Sequence, residues 1–104
     1  MNLESHKSFD QRCYELLLQI PKGKVTTYRE IAHALGTKAY RAVGQAMNRN
    51  PNLVRVPCHR VVKSNGEVGG YARGLSRKME LLRQEGVEVS EDGQVDFSKY
   101  LYVF

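Results

Sequence analysis

The sequence predicts a mainly α fold with small β hairpins, arranged as a winged helix-turn-helix-like domain that takes in all of residues 1–104. Three observations carry that expectation. Apolar residues recur at helical spacing in four separate stretches. Two of these, "TTYREIAHALG" and "KAYRAVGQAMN", follow each other through a tight Gly-containing turn, as in a helix-turn-helix. Beyond them the pattern changes to alternation around Asn65-Gly66 and Asp92-Gly93, dipeptides suited to two-residue hairpin turns. At 104 residues the chain is expected to be one domain, with a modest core that needs no disulfide to support it.

Each element has its own justification. Phe9, Cys13, Leu16, Leu17 and Ile20 share one face of a first helix that Pro21 and the Lys22-Gly23-Lys24 turn should stop. Cys13 lies on that apolar stripe, which makes it a core residue rather than a reactive thiol. Thr27 and Glu30 have capping-box spacing for a second helix, which buries Ile31, Ala34 and Leu35 and ends at Gly36. Thr37 is placed to cap a third helix whose inner face is Ala39, Val43, Ala46 and Met47, with Arg41 and Gln45 together on another face. Ala39, Ala42, Gly44 and Ala46 leave this helix little side-chain bulk. That serves either close helix packing or close approach to a nucleic-acid backbone. The polar loop "NRNPN" and the alternating "LVRVP" lead to Cys58. "RVVKSNGEVGGY" reads as two strands around the Asn-Gly turn, and Leu75, Met79 and Leu82 mark a last helix, capped by Ser76 and ended by Gly86. "VEVSEDGQVDF" reads as a terminal hairpin, and the aromatic "KYLYVF" should pack back on the body.

Composition excludes several classes of function. The longest apolar run, around Leu16 to Ile20, is far too short to cross a bilayer, and the N-terminus lacks the order of a signal peptide. A cytoplasmic (nucleoid) or nuclear protein with no membrane partner is expected. In that setting a Cys13–Cys58 disulfide is not. The three histidines and two cysteines never fall into paired metal-ligand spacing, so no metal site is expected. The net charge of +5 is sorted along the chain. Lys38, Arg41, Arg49, Arg55, Arg60 and Lys63 occupy a stretch between Glu30 and Glu67 that has no acid, whereas six acids crowd Glu80 to Asp96. One positive face suits a phosphate-backbone binder, although a solvated basic surface has the same composition.

The chemistry concentrates in "VPCHRVV". A cysteine attacks as thiolate, which near neutral pH calls for a base or a positive field beside it, and both His59 and Arg60 adjoin Cys58. In an extended segment adjacent side chains point to opposite faces, so Cys58 and His59 would need a turn or a bridging water to cooperate. On these residues alone the pair is a nucleophile with its base, half a metal site, or two ordinary residues entering a strand.

The longer string narrows the choice. "PCHRVV" followed by "SNGEVGGYARG", together with "GKVTTYREIAHALG", "RAVGQAMNRNP" and "LLRQEGV" in the same order, resembles the O6-alkylguanine-DNA alkyltransferases, also called methylated-DNA–protein-cysteine methyltransferases. The resemblance covers roughly Phe9 to Val89. It implies a single-turnover protein that takes an alkyl group irreversibly onto Cys58 without a cofactor. It further implies Glu85 orienting His59, His59 acting through water on Cys58, and Tyr28 donating to the departing guanine. Val61, Tyr71 and Ala72 then line the base pocket. The partner implied is double-stranded DNA containing O6-alkylguanine, bound through the minor groove by the second helix of the helix-turn-helix, with Ala42, Gly44 and Gln45 on its surface. Arg41 fills the space of the extruded nucleotide, and Asn50 ties that helix to the active-site turn. A monomer is expected.

Two features set the chain apart from larger members. Its first helix begins near Phe9, so the extra N-terminal domain those members carry is expected to be absent. Its tail, "VSEDGQVDFSKYLYVF", resembles the alkyltransferase-like proteins, which lack the acceptor cysteine, bind lesions without repairing them and recruit excision repair. Retention of Cys58 and "VGGYARG" favours the transferase. A lesion-binding module, a helix-turn-helix regulator and a Cys-His-Glu hydrolase are the competing readings. Arg73, where many relatives have a small residue, stands beside the expected pocket and bears on which alkyl groups enter it.

Overall fold

The computed structural model describes residues 7–104. Helix α1, Phe9–Leu17, opens on a capping box in which Ser8 and Gln11 satisfy each other's backbone N–H. It ends before Pro21: Gln19 and Ile20 are held by single-turn bonds to Leu16 and Leu17, which still bury Ile20. After the Gly23 turn, β1 (Thr26–Thr27) leads directly into α2, Tyr28–Ala34, where the Thr27 hydroxyl accepts from the Glu30 N–H at 3.0 Å. The buried pair on α2 is Ile31 and Ala32, while Ala34 is exposed. The inner stripe is therefore rotated from the expected Ile31, Ala34 and Leu35.

Helix α3, Tyr40–Asn48, completes the helix-turn-helix and starts later than expected. Thr37 accepts from Ala39 N–H before the helix begins, so it shapes the turn and does not cap α3. Val43, Ala46 and Met47 are buried against α1 and α2. Three further bonds hold α1 across α3: the Tyr14 hydroxyl donates to Ala46 O at 2.8 Å, and Arg49 grips both carboxylate oxygens of Asp10 at 2.7 and 2.9 Å.

The class is mainly helical as expected, but the sheet differs from the predicted hairpins. Strand β2, Val61–Val62, pairs parallel with β1, in the register Thr26 with Val61 and Thr27 with Val62. The Asn65-Gly66 turn does form, with Lys63 N–H on Glu67 O and Gly66 N–H on Lys63 O, yet its arms separate. Its outgoing arm instead meets the second turn: Val68 N–H donates to Gly93 O and Val95 N–H to Gly66 O, each at 2.9 Å, around an antiparallel Glu67–Gln94 bridge. The cause is visible in β2. Successive strand residues face opposite ways, so Val61 enters one core with Cys13, Leu17, Ile31 and Val43, and Val62 enters a second with Val25, Leu82, Val87 and Val95. A strand buried on both faces must sit inside the molecule, whereas an isolated hairpin would leave one valine in water.

Helix α4, Leu75–Gln84, is preceded by Gly74 at φ 95° and has no side-chain cap; Ser76, the expected cap, lies inside the first turn. Gly86, at φ 92°, follows its end as expected. A short α5, Phe97–Tyr100, is capped by Asp96. The tail then returns to the body: Val25 N–H donates to Tyr100 O and Tyr102 N–H to Val25 O, with the Tyr102 and Phe104 rings edge to face at 5.3 Å. Among the described residues no helix is long and apolar enough to cross a membrane.

Candidate active site

Pro57 delivers the chain into a one-turn 3-10 helix, Cys58–Arg60, placed just before β2 and therefore at the seam between the two cores. The sequence suggested an extended approach with Cys58 and His59 on opposite faces. The turn instead rotates each residue about 120° from the last, and it buries Cys58 at the edge of the first core while His59 and Arg60 both reach Glu85.

Cys58 is 4% exposed at the edge of the first core. Burial raises its thiol above the ordinary range, against the opposing pull of the Asn50 amide and the Lys78 ammonium. It therefore rests as a thiol, and something must take its proton before it can attack. His59 is fully buried, with Nε2 3.1 Å from Glu85 Oε1. Burial lowers its pKa and outweighs the upward pull of Glu85, so the imidazole rests neutral. For Glu85, burial acts to raise the carboxyl, but hydrogen bonds from Arg60 and His59 prevail and hold it below the usual carboxylate range. An ionised carboxylate only accepts, so Nε2 carries the imidazole proton and Nδ1 keeps its lone pair. Nδ1 is buried and has no hydrogen-bond partner among the described residues. A buried thiol next in the chain to a neutral imidazole with an open acceptor nitrogen can pass its proton to that nitrogen through a bridging water.

Other expected residues gather around this point. Tyr71 lies with its ring 6.4 Å from the His59 ring, edge on, and among the described residues its buried hydroxyl also lacks a hydrogen-bond partner. Ala72 is exposed on the turn that Gly74 N–H closes on Tyr71 O. The half-buried Tyr28 heads α2; burial raises its pKa and keeps its hydroxyl protonated as a donor. Gly69, at φ 74°, lets the loop pass beside it, since a Cβ there would stand 3.7 Å from the Tyr28 hydroxyl and 3.2 Å from Lys63 Cγ. Val61 is buried in β2. Asn50 caps the loop behind the turn: its amide donates to Val56 O at 2.7 Å and its oxygen accepts from Asn52 N–H at 2.9 Å.

The outer surface of α3 presents Arg41 and Gln45, both exposed, with Ala42 and Gly44 half-buried between them. A Cβ built on Gly44 would meet nothing within 4 Å, so packing does not require glycine there and the smallness faces open space. Ala46, fully buried, is the residue that packing does explain. The expected basic face is thinner than its sequence. Arg60 is turned inward, Arg49 is paired with Asp10 and Lys63 with Glu67, which leaves Lys38, Arg41 and Arg55 exposed and unpaired among the described residues.

Two residues escaped the sequence reading. Lys78 is 0% exposed, and its Nζ donates to Val61 O at 2.6 Å and Gly70 O at 3.0 Å, joining β2 to the pocket loop. Its place on the apolar stripe with Leu75, Met79 and Leu82 was the available signal. Arg60, expected as part of the positive face and as a positive field beside Cys58, instead binds both oxygens of Glu85.

The 6-O-methylguanine DNA methyltransferase DNA-binding domain, as a family model, matches residues 8–87. The chain belongs to that family. A methylated-DNA–protein-cysteine methyltransferase of Saccharolobus islandicus is 46% identical over 91 residues, 88% of this chain and 58% of that protein, so the family member described here spans little more than half its relative's length. Among solved structures, the Mycobacterium tuberculosis OGT in complex with DNA superposes with a TM-score of 0.74 at 45% identity, covering 76% of this chain and 50% of that one. S. pombe Atl1, in complex with damaged DNA containing O6-carboxymethylguanine, superposes with a TM-score of 0.81 at 32% identity over 98% of both chains. The methyltransferase-family fold thus accounts for the helical body, the short sheet and the placement of Cys58 at its seam.

Proposed function

We propose that this protein repairs DNA by transferring the alkyl group of an extruded O6-alkylguanine to Cys58. The observation that carries the proposal is the buried Cys58 thiol beside a neutral His59, whose Nε2 is held by Glu85 and whose Nδ1 is open. The thiol proton passes through water to Nδ1, and the thiolate attacks the alkyl carbon. The C–S bond forms as the C–O6 bond breaks, and the electron pair left on O6 spreads into the guanine ring. Tyr28 and the backbone N–H of Ala72 meet that charge, and guanine leaves neutral after taking up one proton, which balances the one taken from Cys58. The thioether is permanent, so each molecule acts once and needs no cofactor.

The lesion must reach Cys58 from outside the duplex stack. We assign the open face of α3 to the minor groove, with Arg41 filling the vacated stack, Ala42, Gly44 and Gln45 against the backbone, and Asn50 fixing α3 to the nucleophile turn. A second reading has support in the near-complete mutual coverage with S. pombe Atl1: a lesion-binding protein that hands damage to excision repair. Incubation with duplex DNA containing O6-methylguanine, followed by peptide mass spectrometry, separates the two. The expected result is one methyl group on the Cys58 peptide and none on the Cys13 peptide. Stable lesion binding with unchanged mass would favour the second reading.

A further inference from the structure

Arg60 follows Cys58 and His59 directly in the chain, and its side chain is turned inward. Its guanidinium spans three segments of the chain. Nε and Nη2 donate to Glu85 Oε1 and Oε2 at 2.9 and 2.6 Å, and Nη1 donates to Ile20 O at 2.8 Å, beyond the end of α1. Arg60 and Glu85 side chains are only 14% and 11% exposed. Oε1 of Glu85 is shared, since His59 Nε2 approaches the same oxygen at 3.1 Å. Glu85 is also the C-cap of α4, where the helix dipole disfavours a negative charge. Its carboxylate is stable there because a bidentate cation meets it.

We propose that Arg60 is a positioning residue for the transfer reaction, one that fixes the Glu85 carboxylate against His59 and neutralises it so that the imidazole stays an available base. A bare carboxylate at hydrogen-bond distance draws a proton onto a histidine, and an imidazolium cannot accept the Cys58 proton. With Arg60 bound to both oxygens, His59 faces an ion pair of no net charge. The other groups around the ring act in the same setting. Lys78, also from α4, and Arg60 both oppose imidazolium formation, Glu85 favours it, and Cys58 and Tyr71 are uncharged at neutral pH. Orientation is the second effect. Nε2 is directed to Oε1 only while the Arg60 fork prevents the carboxylate from rotating, and that leaves Nδ1 as the free acceptor.

This inference rests on the transferase reading, and its test contains a measurement that does not. The His59 imidazole is titrated by 15N NMR in wild type, Arg60→Lys and Arg60→Met, and single-turnover transfer from free O6-benzylguanine is followed from pH 5 to 8.5 in the same proteins. The expected result for Arg60→Met is a His59 midpoint raised by about one pH unit or more, with the acidic limb of the rate profile moving with it. That makes the loss tenfold or greater near pH 6 and much smaller above pH 8. Arg60→Lys, which keeps the charge and loses the fork, should shift the midpoint in the same direction by less, and it tests the idea if the methionine variant does not fold. An unchanged His59 titration with a rate reduced equally at every pH would overturn the proposal and leave Arg60 a purely structural residue. Failure of wild type to take up benzyl at any pH would instead overturn the transferase reading, with the imidazole titration still deciding the role of Arg60.

Discussion

A lysine with no exposed surface is costly unless its ammonium is well partnered, and among the described residues Lys78 has two backbone carbonyls and no carboxylate. Burial lowers its pKa to about 8, with Cys58 pulling the other way. The sign of the pH effect follows from the unfolded lysine keeping its ordinary, higher pKa. Below about pH 8 both states are protonated, and the folded state bears the full cost of the buried charge. As pH rises through the folded pKa toward the unfolded one, the folded state sheds its proton first and that cost is relieved. Wild type should therefore gain stability relative to Lys78→Met between pH 8 and 10.5, by about 3 kcal/mol at most. Denaturant unfolding of both proteins across that range measures the difference directly. Comparing the two cancels the tyrosines and cysteines, whose raised pKa values act oppositely at alkaline pH. A difference that does not vary with pH would mean that Lys78 holds its proton as tightly in the fold as in the unfolded chain, and that burial does not lower its pKa.

Between α3 and the nucleophile turn, the backbone carries its clearest strain. Val54 has φ 73°, and it is the only residue other than glycine described with positive φ. A β-branched side chain fits that region poorly, at a cost of roughly 1–2 kcal/mol. Val54 is also 47% exposed, so its own burial compensates little of this. What holds it there is the closure around it: Val56 N–H bonds Asn52 O, Leu53 bridges Val56, and Asn50 fixes both ends of the loop. Asparagine tolerates the left-handed region without the entropy cost of glycine. Val54→Asn should raise unfolding stability by about 1 kcal/mol, with the transfer rate unaltered because Val54 does not line the site. A lowered denaturation midpoint would show that the valine side chain makes a contact worth more than the strain.

At the scale of the molecule, the proposed role of α3 has two separable parts, docking on DNA and emptying the base stack. Arg41 is exposed on its open face and has no ion-pair partner among the described residues. Arg41→Ala should slow repair of duplex DNA by an order of magnitude or more, given roughly a few kcal/mol for unstacking. Transfer from free O6-benzylguanine should change little. The control belongs at Arg55, which is exposed and unpaired; Arg49 is unsuitable because it holds α1 across α3 through Asp10. Arg55→Ala should weaken duplex binding and flatten its salt dependence without separating the two substrates. Equal slowing of both substrates by Arg41→Ala would mean damage to the pocket, and the extrusion role would have to be abandoned.

Local rules were legible in the residues themselves. The places of the four long helices, the Thr27 cap, the glycine after α4, the two turn dipeptides and the core position of Cys13 all depend on neighbours a few residues away, which the sequence states directly. The signature around Cys58 was equally plain, because its residues lie in one continuous stretch of the chain. Partner choice was not. Val61 and Val62 pair with Thr26 and Thr27 instead of across the nearer Asn-Gly turn. The reason is that both faces of β2 are covered by cores drawn from distant segments, and no local pattern records that. Arg60 and Glu85 stand 25 residues apart, and Lys78 stands 17 from Val61. In the sequence Lys78 and Arg60 are charges whose partners no local pattern names, and Glu85 stands out only through the family resemblance. Only when α4 folds over the nucleophile turn does desolvation force these groups to find partners, and that closure makes Arg60 and Lys78 part of the site.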